Sequence, residues 1–178
     1  MPLIIKNVLG DKYKRQEFLG LISKHQHLIR KVAAIYYKNK ADQEDAFQEI
    51  LLSLWKAYPT FEGRSKLSTW IYRVALNTVL GGFRKASNKV YHNQSDIGIS
   101  EEILDSGKKN YSEEIGVLYQ AIEQLSDIEK AIIMLYMEEK NYEDIADIMG
   151  MTRTNVGVKI NRIKKKLKKL YKQVENGY

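Results

Sequence analysis

The chain has 178 residues, enough for one domain or two small ones, and its formal charge of +7 with a pI of about 9.3 favours a polyanionic partner. It contains no cysteine, which excludes disulfides and thiolate metal sites, and its three histidines, His25, His27 and His92, lack ligand spacing, so neither metal nor cofactor is expected. The N-terminal apolar run is too short for a signal peptide and no run could span a bilayer, which points to a soluble, cytoplasmic protein.

Only two prolines, Pro2 and Pro59, and sustained hydrophobicity of period 3.6 predict an all-α protein. A first helix is predicted over Gln16 to Lys38, with Phe18, Leu21, Ile22, His25, Leu28, Ile29, Val32, Ile35 and Tyr36 as its stripe. His25 then belongs at the core edge. Asp42 is expected to cap the next helix, in which Phe47, Ile50, Leu51 and Leu54 face the core. Asp45, Gln48, Glu49, Leu52 and Lys56 share a neighbouring face of that helix. Pro59 should end it, and Thr60 to Lys66, with Gly63, reads as a loop. Ser68 or Thr69 is placed to cap a third helix. Its buried side is Trp70, Ile71, Val74, Ala75, Thr78 and Val79, and Arg73, Asn77, Arg84 and Lys85 face elsewhere. From Ala86 to Asn110 the composition turns polar and aperiodic, as in a flexible tether. The expected organisation is therefore an N-terminal domain of residues 1–86, a linker of 87–111 and a C-terminal domain of 112–178.

Beyond Ser112, Val117, Leu118, Ala121, Ile122 and Leu125 form one helix face. Ser126-Asp-Ile-Glu129 fits a capping box, and Ile128, Ala131, Ile132 and Leu135 continue the stripe. Asn141 can cap a short helix on which Tyr142, Ile145, Ala146 and Met149 recur on one side, and Gly150 suits its left-handed end. Thr152 starts another helix, whose Val156, Ile160, Ile163, Leu167 and Leu170 keep a 4-3-4-3 spacing. This pair reads as a helix-turn-helix. Arg153, Thr154, Asn155, Lys159 and Arg162 lie off the stripe, where cations suit guanine edges and Asn suits adenine in a major groove. Lys164, Lys165, Lys166, Lys168 and Lys169 extend the helix as candidate phosphate contacts.

Charge is segregated: Arg153 to Lys172 carries only basic charge, while acids cluster at Asp42 to Glu49 and Glu101 to Glu143. No phosphate-binding glycine loop, nucleophile–histidine arrangement or metal-spaced carboxylate set is present, so no enzyme is expected. The crowded Asp42, Glu44, Asp45 and Glu49 read as acids at a helix N-terminus forming a binding face, rather than as a general acid and base. The loop Phe61 to Lys66 and the following Trp70, Tyr72, Arg73 and Asn77 gather aromatics and cations, which suits stacking on unpaired bases. A stand-alone helix-turn-helix regulator and a metal-dependent nucleic-acid enzyme remain as alternatives.

Taken together, DQEDAFQEILLSLWKAY, then FEGRSKLSTWIYRVALNTVL, then LSDIEKAIIMLYMEEKNYEDIADIMGMTRTNVGVKINRIKKKL closely resemble bacterial RNA polymerase sigma factors of the extracytoplasmic-function (ECF) type, over nearly the whole chain. The resemblance implies a promoter-specificity subunit without chemistry of its own. It implies docking of Asp45, Gln48, Glu49 and Leu52 on the β′ clamp helices of core polymerase, which also contains β. Phe61, Gly63, Arg64, Lys66, Trp70, Arg73 and Asn77 would recognise and melt the −10 element, with a base flipped into the loop. Arg153, Thr154, Asn155, Lys159, Arg162 and Lys165 would read the −35 element as duplex. An anti-sigma protein covering both domains is also implied. Departures from the family pattern are Gly81-Gly82, where polar or charged helix formers are usual and the third helix is expected to end early, Val156-Gly157-Val158-Lys159 in place of a more basic run, and Phe61-Glu-Gly-Arg64 with an altered charge order. The preferred −35 and −10 sequences are left open by these departures.

Overall fold

A computed structural model describes the backbone of residues 2–88 and 112–176 and the side chains of residues 14–84 and 115–176. The expected flexibility of the tether falls, from residue 89 on, outside the described residues. Within them the chain is all-helical, without strands, and forms two helical domains, as the periodicity predicts. The first contains α1 (Pro2–Tyr36), α2 (Lys40–Ala57), a 3-10 turn (Tyr58–Thr60) and α3 (Leu67–Asn88). The second contains α4 (Ser112–Glu123), α5 (Asp127–Met137), α6 (Tyr142–Met149) and α7 (Arg153–Glu175).

In the first domain the stripes of α1, α2 and α3 meet in one core, where Ile29, Val32, Tyr36, Ile50, Leu54, Ile71 and Tyr72 are withdrawn from solvent. Phe18 packs against Trp55 and Tyr58, with ring centroids 5.1 and 5.3 Å away. Arg30 lies 4.3 Å from the centroid of the Phe47 ring and pairs with Glu44 at 3.2 Å, clamping α1 to α2. His25 is half-buried, as expected of a core-edge residue.

Several boundaries differ from the expectations. α1 begins at Pro2 rather than Gln16; proline is tolerated in a first helical turn because its missing N–H has no intrahelical partner there. Asn39, not Asp42, caps α2, its side-chain oxygen accepting from the Asp42 N–H at 2.7 Å. Asp42 lies in the first turn, where the helix dipole favours an acid. Pro59 sits in the 3-10 turn after α2 has already ended at Ala57. α3 starts at Leu67, so Ser68 and Thr69 are inside the helix and Thr69 is buried. α3 also runs through Gly81-Gly82 to Asn88. The helix penalty of about 1 kcal/mol per glycine is offset by packing on the far side, where Phe83 lies 5.6 Å from Tyr36 and 5.7 Å from Tyr37 between ring centroids.

The second domain follows its cap signals closely. Ser126 and Glu129 form the reciprocal capping box of α5. Asn141 caps α6, Gly150 ends it with φ of 65°, and Thr152 accepts from the Asn155 N–H to start α7. The stripe of α5 needs correction: Ile128 is 49% exposed, whereas Lys130 is buried at 3%. Burial pushes the Lys130 pKa down; the charges of Asp127 and Glu123 oppose that shift and Lys38 adds to it. On α6, Ile148 is buried and Tyr142 and Met149 are half-buried at the core edge.

Two glycines should respond oppositely to alanine. Gly150→Ala forces a side chain into the left-handed region and should lower stability by about 1 kcal/mol. Gly82→Ala, in a helix with nothing within 4 Å of an added Cβ, should raise it by up to about 1 kcal/mol. Urea midpoints moving in opposite directions check this, and movement in the same direction contradicts it.

Candidate nucleic-acid interface and protein-docking face

The orientation of α7 is set by Val156, Ile160 and Ile163, all buried in the second domain. Arg153, Thr154, Asn155, Arg162 and Lys165 are exposed as a result, and Lys159 is half-buried. The outward side also carries Val158, 44% exposed, and Asn161. Sequence reasoning did not select these two, although positions 154, 158, 161 and 165 repeat the spacing of the buried stripe two residues out of phase. Arg153 pairs with Glu143 of α6, so it is not an unengaged cation.

The lysine extension divides into two groups. Lys164 donates to the Tyr136 hydroxyl at 2.6 Å and lies 4.0 Å from its ring centroid, and Lys166 pairs with Glu129 at 2.7 Å. Both tie α7 back to α5, leaving Lys165, Lys168 and Lys169 exposed as the candidate phosphate contacts. Partial burial alone would raise the pKa of Glu129, but hydrogen bonds from Lys166 and Ser126 outweigh it and hold the carboxyl below its ordinary range.

In the first domain, Phe61 and Trp70 are half-buried with ring centroids 4.8 Å apart, and Gly63 takes φ of 68° at the exposed turn between them. Trp70, Arg73 and Asn77 follow one side of α3, and the last two are exposed. Arg64 is exposed and pairs with Glu62, while Lys66 reaches Asp144 of α6 at 3.2 Å. Tyr72, expected beside this aromatic group, is instead fully buried with its hydroxyl 3.4 Å from Glu138. Its ring is unavailable for stacking, because positions 71, 72, 75, 76 and 79 of α3 all face the core.

On α2 the core side chains Ala46, Phe47, Ile50 and Leu54 leave Asp45, Gln48, Glu49 and Leu52 exposed, Leu52 at 52%. The nearby acids have other engagements: Asp42 accepts from Asn39, and Glu44 pairs with Arg30. Among the described residues, no group of three or more His, Asp or Glu is arranged to hold a metal ion, and no helix is long and apolar enough to cross a membrane.

A helix-turn-helix with a basic outward face, beside a second helical domain, defines a two-domain DNA-binding protein. Residues 21–89 match Sigma-70 region 2, and residues 115–167 match Sigma-70, region 4. The chain is 30% identical over 150 residues to the ECF RNA polymerase sigma-E factor of Escherichia coli (strain K12), spanning 78% of each chain. It is 28% identical over 171 residues to the RNA polymerase sigma-H factor of Pseudomonas aeruginosa, spanning 90% of this chain and 87% of that one. The sigma factor RpoE from Bartonella quintana, solved in complex with the anti-sigma factor NepR, has the same fold, with a TM-score of 0.63, 23% identity and coverage of 90% and 98%. CnrH, solved with the cytosolic domain of CnrY, also has a TM-score of 0.63, at 17% identity and coverage of 92% and 91%. The chain belongs to the ECF family of RNA polymerase sigma factors, which act in transcription initiation and are generally not catalytic. The stand-alone regulator reading gives way to this assignment.

The Glu129–Lys166 pair carries a pH signature. Because the folded-state pKa of Glu129 is depressed, its stabilisation is present above the unfolded carboxylate value of about 4.3 and is lost as pH falls through the lower folded value. The stability gap between wild type and Glu129→Gln should therefore shrink below about pH 4. Urea titrations of both proteins across this range measure it, and a gap that does not change with pH contradicts the assignment.

Proposed function

We propose that the chain docks on core RNA polymerase through the exposed face of α2 and recognises a promoter with two separate surfaces. The observation that carries this reading is that Asp45, Gln48, Glu49 and Leu52 are all exposed on one helix while its other acids, Asp42 and Glu44, are engaged within the chain. An apolar side chain ringed by acids and an amide suits a basic protein surface, and the family resemblance supports reading the β′ clamp helices as that surface. Phe61, Gly63, Arg64, Lys66, Trp70, Arg73 and Asn77 would engage the −10 element, where aromatic stacking offsets the few kcal/mol of extracting a base. Arg153, Thr154, Asn155, Lys159, Arg162 and Lys165 would meet the −35 duplex, and the exposed Val158 suits a thymine methyl group. The protein would work in the cytoplasm. The complex between RpoE and the anti-sigma factor NepR supports an anti-sigma partner here as well.

Pull-down of core polymerase tests the docking face. Wild type should retain β and β′, and the Gln48→Ala, Glu49→Ala double variant should retain them roughly tenfold less well, the size expected for central interface residues. Equal retention would mean that docking lies elsewhere. Arg162→Ala tests the reading helix on −35 duplexes. Loss of a phosphate contact should weaken binding similarly across sequences and make the salt dependence shallower by about 0.9 in log–log slope. A loss confined to one base position would make Arg162 a base reader instead.

A further inference from the structure

The outward line of α7 is not the line of its cations. Val156, Ile160 and Ile163 fix the inward direction, and at about 100° per residue positions 154, 158, 161 and 165 face away from them. Thr154, Val158 and Asn161 come first along this line, and Lys165 ends it. Asn155 and Arg162 stand to one side, and Lys159 is half-buried. Arg153, Lys164 and Lys166 are engaged by Glu143, Tyr136 and Glu129. The first three turns therefore point a hydroxyl, an isopropyl group and an amide outward, where a guanine-reading helix would carry guanidinium or ammonium groups.

The fold itself does not account for these side chains. Val158 is 44% exposed in the middle of a polar line, and β-branching makes valine an indifferent helix former, so neither core packing nor helix propensity explains it. Among the described residues, no hydrogen bond engages the Asn161 amide or the Thr154 hydroxyl. Gly157 narrows the choice of base-reading residues further. A Cβ added there would stand 3.5 and 3.8 Å from ring carbons of Tyr142 of α6. The ring covers that flank of α7, and the residue beside Val158 has no side chain with which to reach a base.

We propose that Val158 and Asn161 set the −35 preference of this chain by direct reading of two neighbouring A·T pairs, Val158 packing on a thymine methyl group and Asn161 bonding the edge of an adenine. The inference rests on the promoter reading above and names the bases that reading leaves open. The Asn161 amide N–H donates to adenine N7 while its oxygen accepts from the N6 amino group. Guanine offers two acceptors at the same edge, so the amide oxygen would meet a second oxygen there. A G·C pair under Val158 has no methyl group and sets the valine against polar atoms. The two residues are three positions apart, about 4.5 Å along the helix axis, close to the base-pair rise of about 3.4 Å. A helix laid along the major groove thus brings them to consecutive pairs.

Holoenzyme assembled from core polymerase and the full-length protein is used to select promoters from a randomised library. The selected −35 element should contain two adjacent A·T pairs. On that promoter, replacing one thymine by deoxyuridine, which lacks only the methyl group, should weaken binding about three- to fivefold. Replacing one adenine by 7-deazaadenine should weaken it roughly tenfold. Val158→Ser should abolish the first sensitivity and keep the second. Asn161→Arg should change the preferred base at the second pair from adenine to guanine. Both positions are exposed, so the fold should tolerate both substitutions. An A·T preference unaffected by either modified base, as readout of groove shape would give, overturns the inference. So do variants that select the same −35 element as wild type. Enrichment of no −35 element at all is a different result: it removes the promoter reading, and this inference with it.

Discussion

The burial of Val156, Ile160 and Ile163 is the constraint on which the functional geometry depends. A helix whose apolar stripe is withdrawn from water cannot rotate about its axis without exposing that stripe, so the opposite side chains acquire a fixed direction. Thr154, Val158, Asn161 and Lys165 are presented together for that reason, with Asn155 and Arg162 beside them. The caps at Asn141, Gly150 and Thr152 hold the two helices at a set angle, and Lys164 and Lys166 fasten the later turns to α5 through Tyr136 and Glu129. Part of the lysine-rich run therefore maintains the scaffold that the rest of the run uses.

Charge placement separates the candidate partners. A chain of net charge +7 keeps an acidic, leucine-bearing patch on α2 apart from its basic surfaces, and four other acids are paired: Glu44 with Arg30, Glu129 with Lys166, Glu143 with Arg153 and Asp144 with Lys66. The last two pairs differ in kind from the first two. Glu44 and Glu129 brace neighbouring helices within a domain, whereas Glu143 and Asp144 occupy cations that the promoter reading assigns to DNA. Carboxylate and phosphate compete for the same cations, so in the promoter reading these two pairs would give way to DNA.

Much of this was legible in the residues because the signals were local. Ser126 with Glu129, Asn141, Gly150 and Thr152 each satisfy or relieve backbone groups within a few positions, so type and spacing alone locate the starts of α5, α6 and α7 and the end of α6. The misreadings arose where distant contacts decide. α3 continues past Gly81-Gly82 because Phe83 packs beside Tyr36 and Tyr37. Tyr72 is buried under groups that include Lys140 from the other domain, and Ile128 emerges while Lys130 goes under. Periodicity gives a helix one preferred apolar side; it carries no information about a second domain resting against that helix. The pairings of Lys66 with Asp144 and Lys31 with Glu138 were unreadable for the same reason, being contacts between residues far apart in the chain.

The central claim is that this chain confers promoter choice on a polymerase through two reading surfaces. Run-off transcription by core RNA polymerase reconstituted with the full-length protein addresses it most directly, on promoters selected with the reconstituted enzyme and then altered in the −35 element, the −10 element or both. The account predicts transcripts only when the protein is added, with strong loss when either element is altered. Transcription by core that is the same with and without the protein, or that ignores both elements, would contradict it.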